Sequence, residues 1–334
     1  MADLITSIPT DVAASILTAW LPFVSLPLLD SACINGAQRA KYLHLIRKTE
    51  FVFSQCSQVK LLKKANNFVT KKCLAWIAKR GVKFSQVLIP GQMCSDRDQP
   101  NQPLGAHVKA VRLEHFMMPS QDSQQLVSVV LNCPNMVVFA AHKSRLDSTL
   151  LTVFNTCTLL TTIRFVNCCP VTGFRTKLLS SIVLPHLHTI SVVSGQLKTS
   201  FIAALVLMSV DLKHLQCAEM FDFLKQRDST ALAAERRDMV RIAQHCPNLH
   251  TLSVNVRLFD ESILMDMLAS CTKIATLDLS ACLRLTERSI QHLAITLTSL
   301  HTLRLDGNTI FLLELESLRH AAYSLTALDL RNCA

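Results

Sequence analysis

Apolar residues return about every 25 positions in the pattern apolar-x-x-apolar-x-apolar, and this period constrains the fold more than any other feature of the sequence. Four regular copies, spaced 25, 26 and 25 residues apart, start at Leu249, Ile274, Leu300 and Leu325. Looser copies start at Phe84, Val108, Met136, Leu160, Leu187 and Leu212. Such a period is typical of a solenoid, because one unit cannot bury its apolar side alone and neighbouring units must stack.

The copy that starts at Ile274 illustrates the expected geometry. Ile274, Leu277 and Leu279 are expected to point inward from a short strand and its approach, since side chains alternate along a strand. The intervening residues are expected to face outward: Thr276, Asp278 and Ser280. The following stretch 287–297 predicts a helix that closes the core, with Thr286 as its N-cap.

Cysteines recur at two positions of the copies. One precedes the repeat, at Cys133, Cys157, Cys246 and Cys271. The other lies in the turn after the strand, at Cys168, Cys282 and Cys333, with Asn308 in the equivalent place. With these cysteines, residues 84–334 resemble the leucine-rich repeats of the cysteine-containing subtype found behind F-boxes. The resemblance implies an α/β solenoid of about ten repeats, with parallel strands on its concave face and helices on its convex face. Cys282 is then a turn filler, and not a zinc or redox site.

Residues 1–48 do not follow the repeat. They contain a leading Ile8-Pro9 pair, an Ile16-Leu17 pair and a Leu21-Pro22 break, and they are similar to an F-box, although the Trp common near the end of that motif is absent. The resemblance implies a small all-α unit that docks on the adaptor of a cullin-RING ubiquitin ligase. The residues it places in or beside the docking surface are Ile8, Pro9, Val12, Ile16, Leu17, Leu21 and Pro22. The alternative is a helical cap that shields the first repeat.

Residues 49–83 are interpreted as a basic helical linker or N-terminal cap, with a helix predicted over 68–79. From Arg39 to Lys83 the sequence carries twelve Lys and Arg against Glu50 alone, so this window has a charge of +11 and the remainder −1. Nucleic acid, anionic lipid or a phosphorylated partner could be attracted to it. No aromatic stacking platform is evident, so a solvated basic face is expected and nucleic acid is not expected as a partner.

The outward strand positions nominate a partner-binding surface. On the concave face of the solenoid the candidate residues are Arg112, Arg164, Asp278, Arg304, Asp306, Asp329 and Arg331. They could instead be neighbouring ion pairs that contribute little. The one irregular interval, of 37 residues between Leu212 and Leu249, predicts an extended helix over 229–245.

Several classes of function are not expected from this sequence. Walker-type phosphate loops, H-E-x-x-H helices and G-x-S-x-G elbows are all absent, so neither catalysis nor a cofactor or metal is expected. His186 and His188 are interpreted as surface residues. The longest apolar run, 201–210, is about half of a membrane span. No basic region precedes an apolar one at the N-terminus, so a secretory signal is not expected. Thirteen cysteines without a C-x-x-C pair favour reduced thiols in the cytoplasm or nucleus.

The F-box resemblance implies a function. The chain would be a non-enzymatic substrate-recognition subunit of an SCF-type ubiquitin ligase, with an adaptor bound by residues 1–48 and a target protein bound by the repeats. The alternative is a ligase-independent interaction scaffold in which residues 1–83 are only a cap. The last segment, LDLRNCA, follows a repeat strand directly, so an exposed sheet edge is expected there.

Overall fold

The structure is a computed structural model that divides into two compact units, 1–140 and 141–334. The residues it describes are 9, 12–13, 17, 26–33, 36–48, 50–52, 83–90, 110–114, 133–170, 176–195, 197–220, 229–254, 261–280, 285–308, 318 and 324–333.

The first unit begins with helices. Val12, Ala13 and Leu17 are helical, and two further helices follow: α1 (Leu26–Ala32) and α2 (Gly36–Lys48). The Tyr42 hydroxyl of α2 donates to the Leu26 carbonyl of α1 at 2.8 Å. Arg39 donates to both carboxylate oxygens of buried Asp30, at 2.7 and 3.0 Å. Bidentate pairs of this kind are strong and directional, so they fix the angle between two short helices.

Three parallel strands complete the described part of this unit: β1 (Glu50–Val52), β2 (Lys83–Pro90) and β3 (Ala110–Glu114). β1 pairs with β2, and β2 pairs with β3 in the register Gln86 to Ala110. The repeat pattern predicts β2 and β3 but not β1, which adds a strand before the first repeat. The helix predicted over 68–79 lies outside the described residues.

The second unit is an alternation of strands and helices. Its strands are β4 (Val138–His142, which spans the division), β5 (Arg145–Leu146), β6 (Thr162–Pro170), β7 (Thr189–Gly195), β8 (His214–Met220), β9 (Thr251–Val254), β10 (Thr276–Asp278), β11 (Thr302–Arg304) and β12 (Ala327–Asp329). Its helices are α3 (Thr149–Thr156), a 3-10 helix (Thr176–Ser181), α4 (Thr199–Leu207), α5 (Ser229–His245), α6 (Glu261–Ser270) and α7 (Glu287–Thr296). The strand order from β6 to β12 follows the sequence, and β5 pairs with β6.

The strands occur at the predicted period. From Val108 onward, each strand except β5 begins two residues after the predicted start of its repeat, as at Thr162, Thr189 and Thr251. The parallel pairing joins equivalent residues throughout, for example Leu252 to Leu277 and Leu277 to Leu303. The predicted α/β leucine-rich-repeat solenoid, preceded by a small helical unit, is therefore confirmed.

The core of the second unit lies between the sheet and a row of helices. Ile274, Leu277 and Leu279 are fully buried, whereas Thr276, Asp278 and Ser280 between them are half-buried. The rings of Phe165 in β6 and Phe201 in α4 meet edge to face, with centroids 5.6 Å apart. α4, α5, α6 and α7 pack one against the next. Among the described residues, the helices pack on the inner side of the sheet, and the outward residues Thr276, Asp278 and Ser280 keep partial solvent exposure.

The turns are satisfied as the pattern predicts. The buried Asn308 side chain donates to the carbonyls of Leu279, one rung back, and Leu305, at 2.9 and 2.7 Å. At the equivalent positions the Cys168 thiol lies 3.3 Å from the Ala141 carbonyl, and the Cys333 thiol lies 3.2 Å from that of Leu305. Buried turn carbonyls need such donors. Cys282 lies outside the described residues.

Two predicted helices have the expected bounds. The irregular interval holds α5, Ser229–His245, as predicted. α7 begins at Glu287, and the Thr286 hydroxyl accepts from the Ser289 backbone N–H while the Ser289 hydroxyl accepts from the Thr286 N–H. This reciprocal capping box satisfies two backbone donors that a helix start would otherwise leave open.

Candidate functional site

The candidate site is the outward face of the second unit, defined here as the side of strands β6 to β12 that faces away from the described helices. Its central row consists of one residue from each strand in direct register: Arg164, Ser191, Gln216, Ser253, Asp278, Arg304 and Asp329. Seven rungs therefore place side chains about 4.8 Å apart along one line. The predicted residues Arg164, Asp278, Arg304 and Asp329 are brought into this one row.

The C-terminal end of the row is a lattice of opposite charges. Arg304 lies 3.8 Å from the Asp278 carboxylate, and Arg331 donates to both oxygens of Asp329 at 2.9 and 2.8 Å. Those hydrogen bonds from Arg331 lower the pKa of Asp329 and raise the pKa of Arg331. Asp306, in the neighbouring row, accepts from Asn332 at 2.9 Å. These groups are solvent-accessible, so the pairs contribute little to stability and can exchange for contacts with a partner.

The N-terminal part of the face starts with the charged Arg164 and continues with neutral and apolar side chains. Ser191 donates to Gln216 at 2.7 Å on the central row. The next outward row holds Val166, Val193 and Ala218 in direct register, each half-buried. The outward face thus combines a small apolar strip with a polar and charged lattice, the combination that protein–protein contact surfaces carry.

The remaining predicted residues lie in the first unit. Arg112 is in β3, opposite Leu88 of β2, and its side chain is outside the described set. Pro9 is exposed, Val12 is 45% exposed and Leu17 is 2% exposed. Leu17 therefore belongs to the packed interior of the helices, whereas Pro9 and Val12 are accessible. Ile8, Ile16, Leu21 and Pro22 lie outside the described residues.

A group of basic side chains at the strand entries was missed by the sequence analysis. His188, Lys213, His214 and His250 occupy three successive rungs where β7, β8 and β9 begin. Burial lowers the pKa of His214, and the neighbouring His250, His188 and Lys213 lower it further. The signal in the sequence is a basic residue directly after the first consensus leucine, as in Leu187-His188, Leu212-Lys213 and Leu249-His250.

The described cysteines are structural. All nine of them are free thiols, namely Cys33, Cys133, Cys157, Cys168, Cys169, Cys217, Cys246, Cys271 and Cys333. Burial raises the pKa of Cys246 to about 12 and of Cys271 to about 11, so both remain protonated at neutral pH. The Cys271 thiol instead lies 3.3 Å from the Cys246 carbonyl and links adjacent rungs. Within the described residues, no cluster of three metal-ligating side chains occurs, and no helix is long and apolar enough to cross a bilayer.

Known structures resemble the chain at low sequence identity. They include a protein from Bacteroides fragilis, at 14% identity and a TM-score of 0.48, covering 84% of this chain and 86% of that one. An internalin from Listeria monocytogenes gives 13% identity and a TM-score of 0.46, with 96% and 97% covered. The structure of the yeast Rad7 and Elc1 complex gives 13% identity and a TM-score of 0.44, with 82% and 66% covered. No protein-family model and no curated protein matches the sequence.

Proposed function

We propose that this chain is a non-enzymatic protein-interaction module whose partner binds the outward face of the second unit. The observation that carries the proposal is the register of that face, which aligns Val166, Val193 and Ala218 beside a polar row of seven strand residues. An apolar strip bordered by exchangeable polar groups is suited to bind a polypeptide.

Partner capture by the full chain tests this role. Replacing Asp278, Arg304 and Asp329 together by Ala removes the lattice while leaving the inward leucines in place. We expect capture of the partner from a lysate, identified by mass spectrometry, to fall at least about tenfold. The matched control is Arg236→Ala, because Arg236 and Asp266 form an exposed pair, at 3.7 Å, on the helical side. Unchanged capture by the triple variant would exclude the lattice as the contact.

In its finer form, the proposal is that the module recruits target proteins to an SCF-type ubiquitin ligase through the N-terminal helices. The exposed Pro9 and Val12 support it, because the F-box resemblance places both on the adaptor surface. Leu28 of α1, 69% exposed, adds apolar surface to the same helical unit. The free thiols are consistent with a cytoplasmic or nuclear location.

Co-purification with the ligase adaptor tests the finer form. Val12→Asp places a charge on an accessible apolar position, and we expect it to abolish association while circular dichroism stays unchanged. Ala37→Asp, at an exposed position of α2, is the control. Leu17 is unsuitable as a probe, because its substitution would disrupt the packed helices. Failure of the unaltered chain to bind any adaptor would favour the alternative, a ligase-independent scaffold in which the helices act as a cap.

A further inference from the structure

Four basic side chains converge at the entry to strands β7, β8 and β9, and we name this group, His188, Lys213, His214 and His250, the strand-entry cluster. The Lys213 and His214 backbone N–H groups both donate to the His188 carbonyl, at 3.0 and 2.9 Å. The next rung repeats this arrangement: the His250 and Thr251 N–H groups donate to the Lys213 carbonyl, at 2.9 and 3.0 Å. Three rungs span about 10 Å, so one short ligand segment can reach all four groups.

Two imidazoles of the cluster, His214 and His250, each make a hydrogen bond through Nδ1. His250 Nδ1 lies 2.7 Å from the Asn248 carbonyl, so Nδ1 carries the hydrogen and donates it. His214 Nδ1 lies 3.0 Å from the Thr251 hydroxyl. Both rings are exposed and accessible to a partner. A protonated imidazole then presents a charged N–H donor, the group that binds carboxylates most strongly.

Positive charge at this edge is poorly balanced. Asp211 is the one carboxylate in these three strand entries and that of β10. The four entries comprise residues 184–189, 208–214, 246–251 and 271–276. Asp211 is already engaged, with Lys213 at 3.8 Å and the Asn248 amide at 3.2 Å. Other titratable or cationic groups here are His186, His245, Lys273 and, one rung further, His301. Within the described residues of these entries, positively charged and titratable basic groups therefore outnumber carboxylates.

We propose that the strand-entry cluster binds acidic side chains of the protein partner, and that this binding takes up protons. The inference rests on the proposed interaction role, since His214 begins the outward row next to the central one. A peptide is favoured over nucleic acid because these entries contain no Phe, Tyr or Trp on which bases could stack. Thr189 and Thr251 flank His214 in register and supply hydroxyls for polar contacts with a peptide.

Proton uptake gives the proposal a pH signature. His214 is neutral at pH 7.5, because burial and its cationic neighbours lower its pKa. A bound carboxylate favours the charged imidazole, so affinity rises as pH falls. Uptake of one proton on binding corresponds to a tenfold change in affinity per pH unit.

The test uses the full chain and a fluorescein-labelled dodecapeptide with six glutamates, followed by fluorescence anisotropy at pH 7.5 and 6.0 and constant ionic strength. We expect the peptide to bind up to about thirtyfold tighter at pH 6.0, since one proton corresponds to tenfold per pH unit over 1.5 units, and we expect the same peptide with glutamines not to bind. Replacing His188, His214 and His250 by Gln should remove the pH dependence, and Lys213→Gln should weaken binding at both pH values. His301→Gln is the matched control, since His301 Nδ1 contacts the Ser299 carbonyl at 2.6 Å as His250 contacts Asn248, two rungs away.

Three results would overturn the inference. The first is equal affinity at both pH values, and the second is an equal loss of pH dependence in the His301 control. The third is displacement of the acidic peptide by a double-stranded DNA oligonucleotide at lower concentration than by unlabelled peptide. The broader role is tested separately. If the chain captures a partner through the lattice, and the histidine variant captures it equally well, the interaction function stands and the strand-entry cluster is excluded as its site.

Discussion

At the scale of single residues, inward and outward positions have opposite energetic roles although they alternate along one strand. Leu277 has no solvent exposure and pairs with Leu252 and Leu303 on adjacent rungs. Thr276, one position earlier, faces outward. The first residue holds the stack together, and the second is available for contacts.

Leu277→Ala should lower the free energy of unfolding by about 2–5 kcal/mol, because it removes a fully buried side chain and leaves a cavity. Thr276→Ala is the control and should change stability by less than about 0.5 kcal/mol. Urea denaturation followed by circular dichroism measures both. Equal effects of the two substitutions would contradict the assignment of inward and outward faces.

Asn308 and the turn cysteines Cys168 and Cys333 each contact a backbone carbonyl of the preceding rung, but the amide is a stronger donor than the thiol. Asn308→Ala leaves the Leu279 carbonyl without its donor and should cost about 1–3 kcal/mol. Asn308→Cys should recover part of that loss, because the Cys168 and Cys333 thiols contact the equivalent carbonyls. Chemical denaturation of the three proteins gives the order Asn, Cys, Ala. A Cys variant no more stable than the Ala variant would contradict the role of the thiol as a donor to this carbonyl.

At the scale of elements, helix starts are set by local capping. α7 carries a complete capping box between Thr286 and Ser289. Thr286→Ala should destabilise the protein by about 1 kcal/mol, measured as a shift of the thermal midpoint. Thr298→Ala, an exposed threonine in the turn after the same helix, should leave the midpoint unchanged.

Much of this level could be predicted from the sequence. The period predicted each strand from β3 onward except β5, with a constant offset of two residues, because the consensus leucines include the approach to the strand. The bounds of α5 followed from its apolar spacing. β1 was missed because Glu50–Val52 lacks the repeat pattern and is a strand only through its pairing with β2. The strand-entry cluster was missed because it depends on register between rungs 25 to 37 residues apart, which no local window contains. The burial of Leu17 depends on helix packing in the same way.

At the scale of the whole second unit, buried thiols make its stability fall at alkaline pH. Burial raises the pKa of five cysteines to about 11 or 12: Cys157, Cys168, Cys217, Cys246 and Cys271. In the unfolded chain a thiol ionises near pH 9, so the folded state binds more protons between pH 9 and 11. Stability is therefore fully present below pH 9 and is lost as pH rises above it.

The urea midpoint should fall between pH 8 and pH 10.5, by the equivalent of roughly 1 kcal/mol for each thiol involved. A variant with Ala at Cys246 and Cys271 should have a shallower dependence over this range, which separates the thiols from lysine and tyrosine titration. An identical slope in the variant would remove these two cysteines as the cause.

Within the first unit, a single residue separates two elements of different kinds. α2 ends at Lys48 and β1 begins at Glu50, and α2 also packs against β2. One residue spans less than 4 Å, so the end of α2 and the start of β1 stay close together. Because α2 also packs against β2, a protein that binds the helices would hold β1, β2 and β3 in a set orientation. Capture of one molecule would then decide how the strands of this unit are presented to a second.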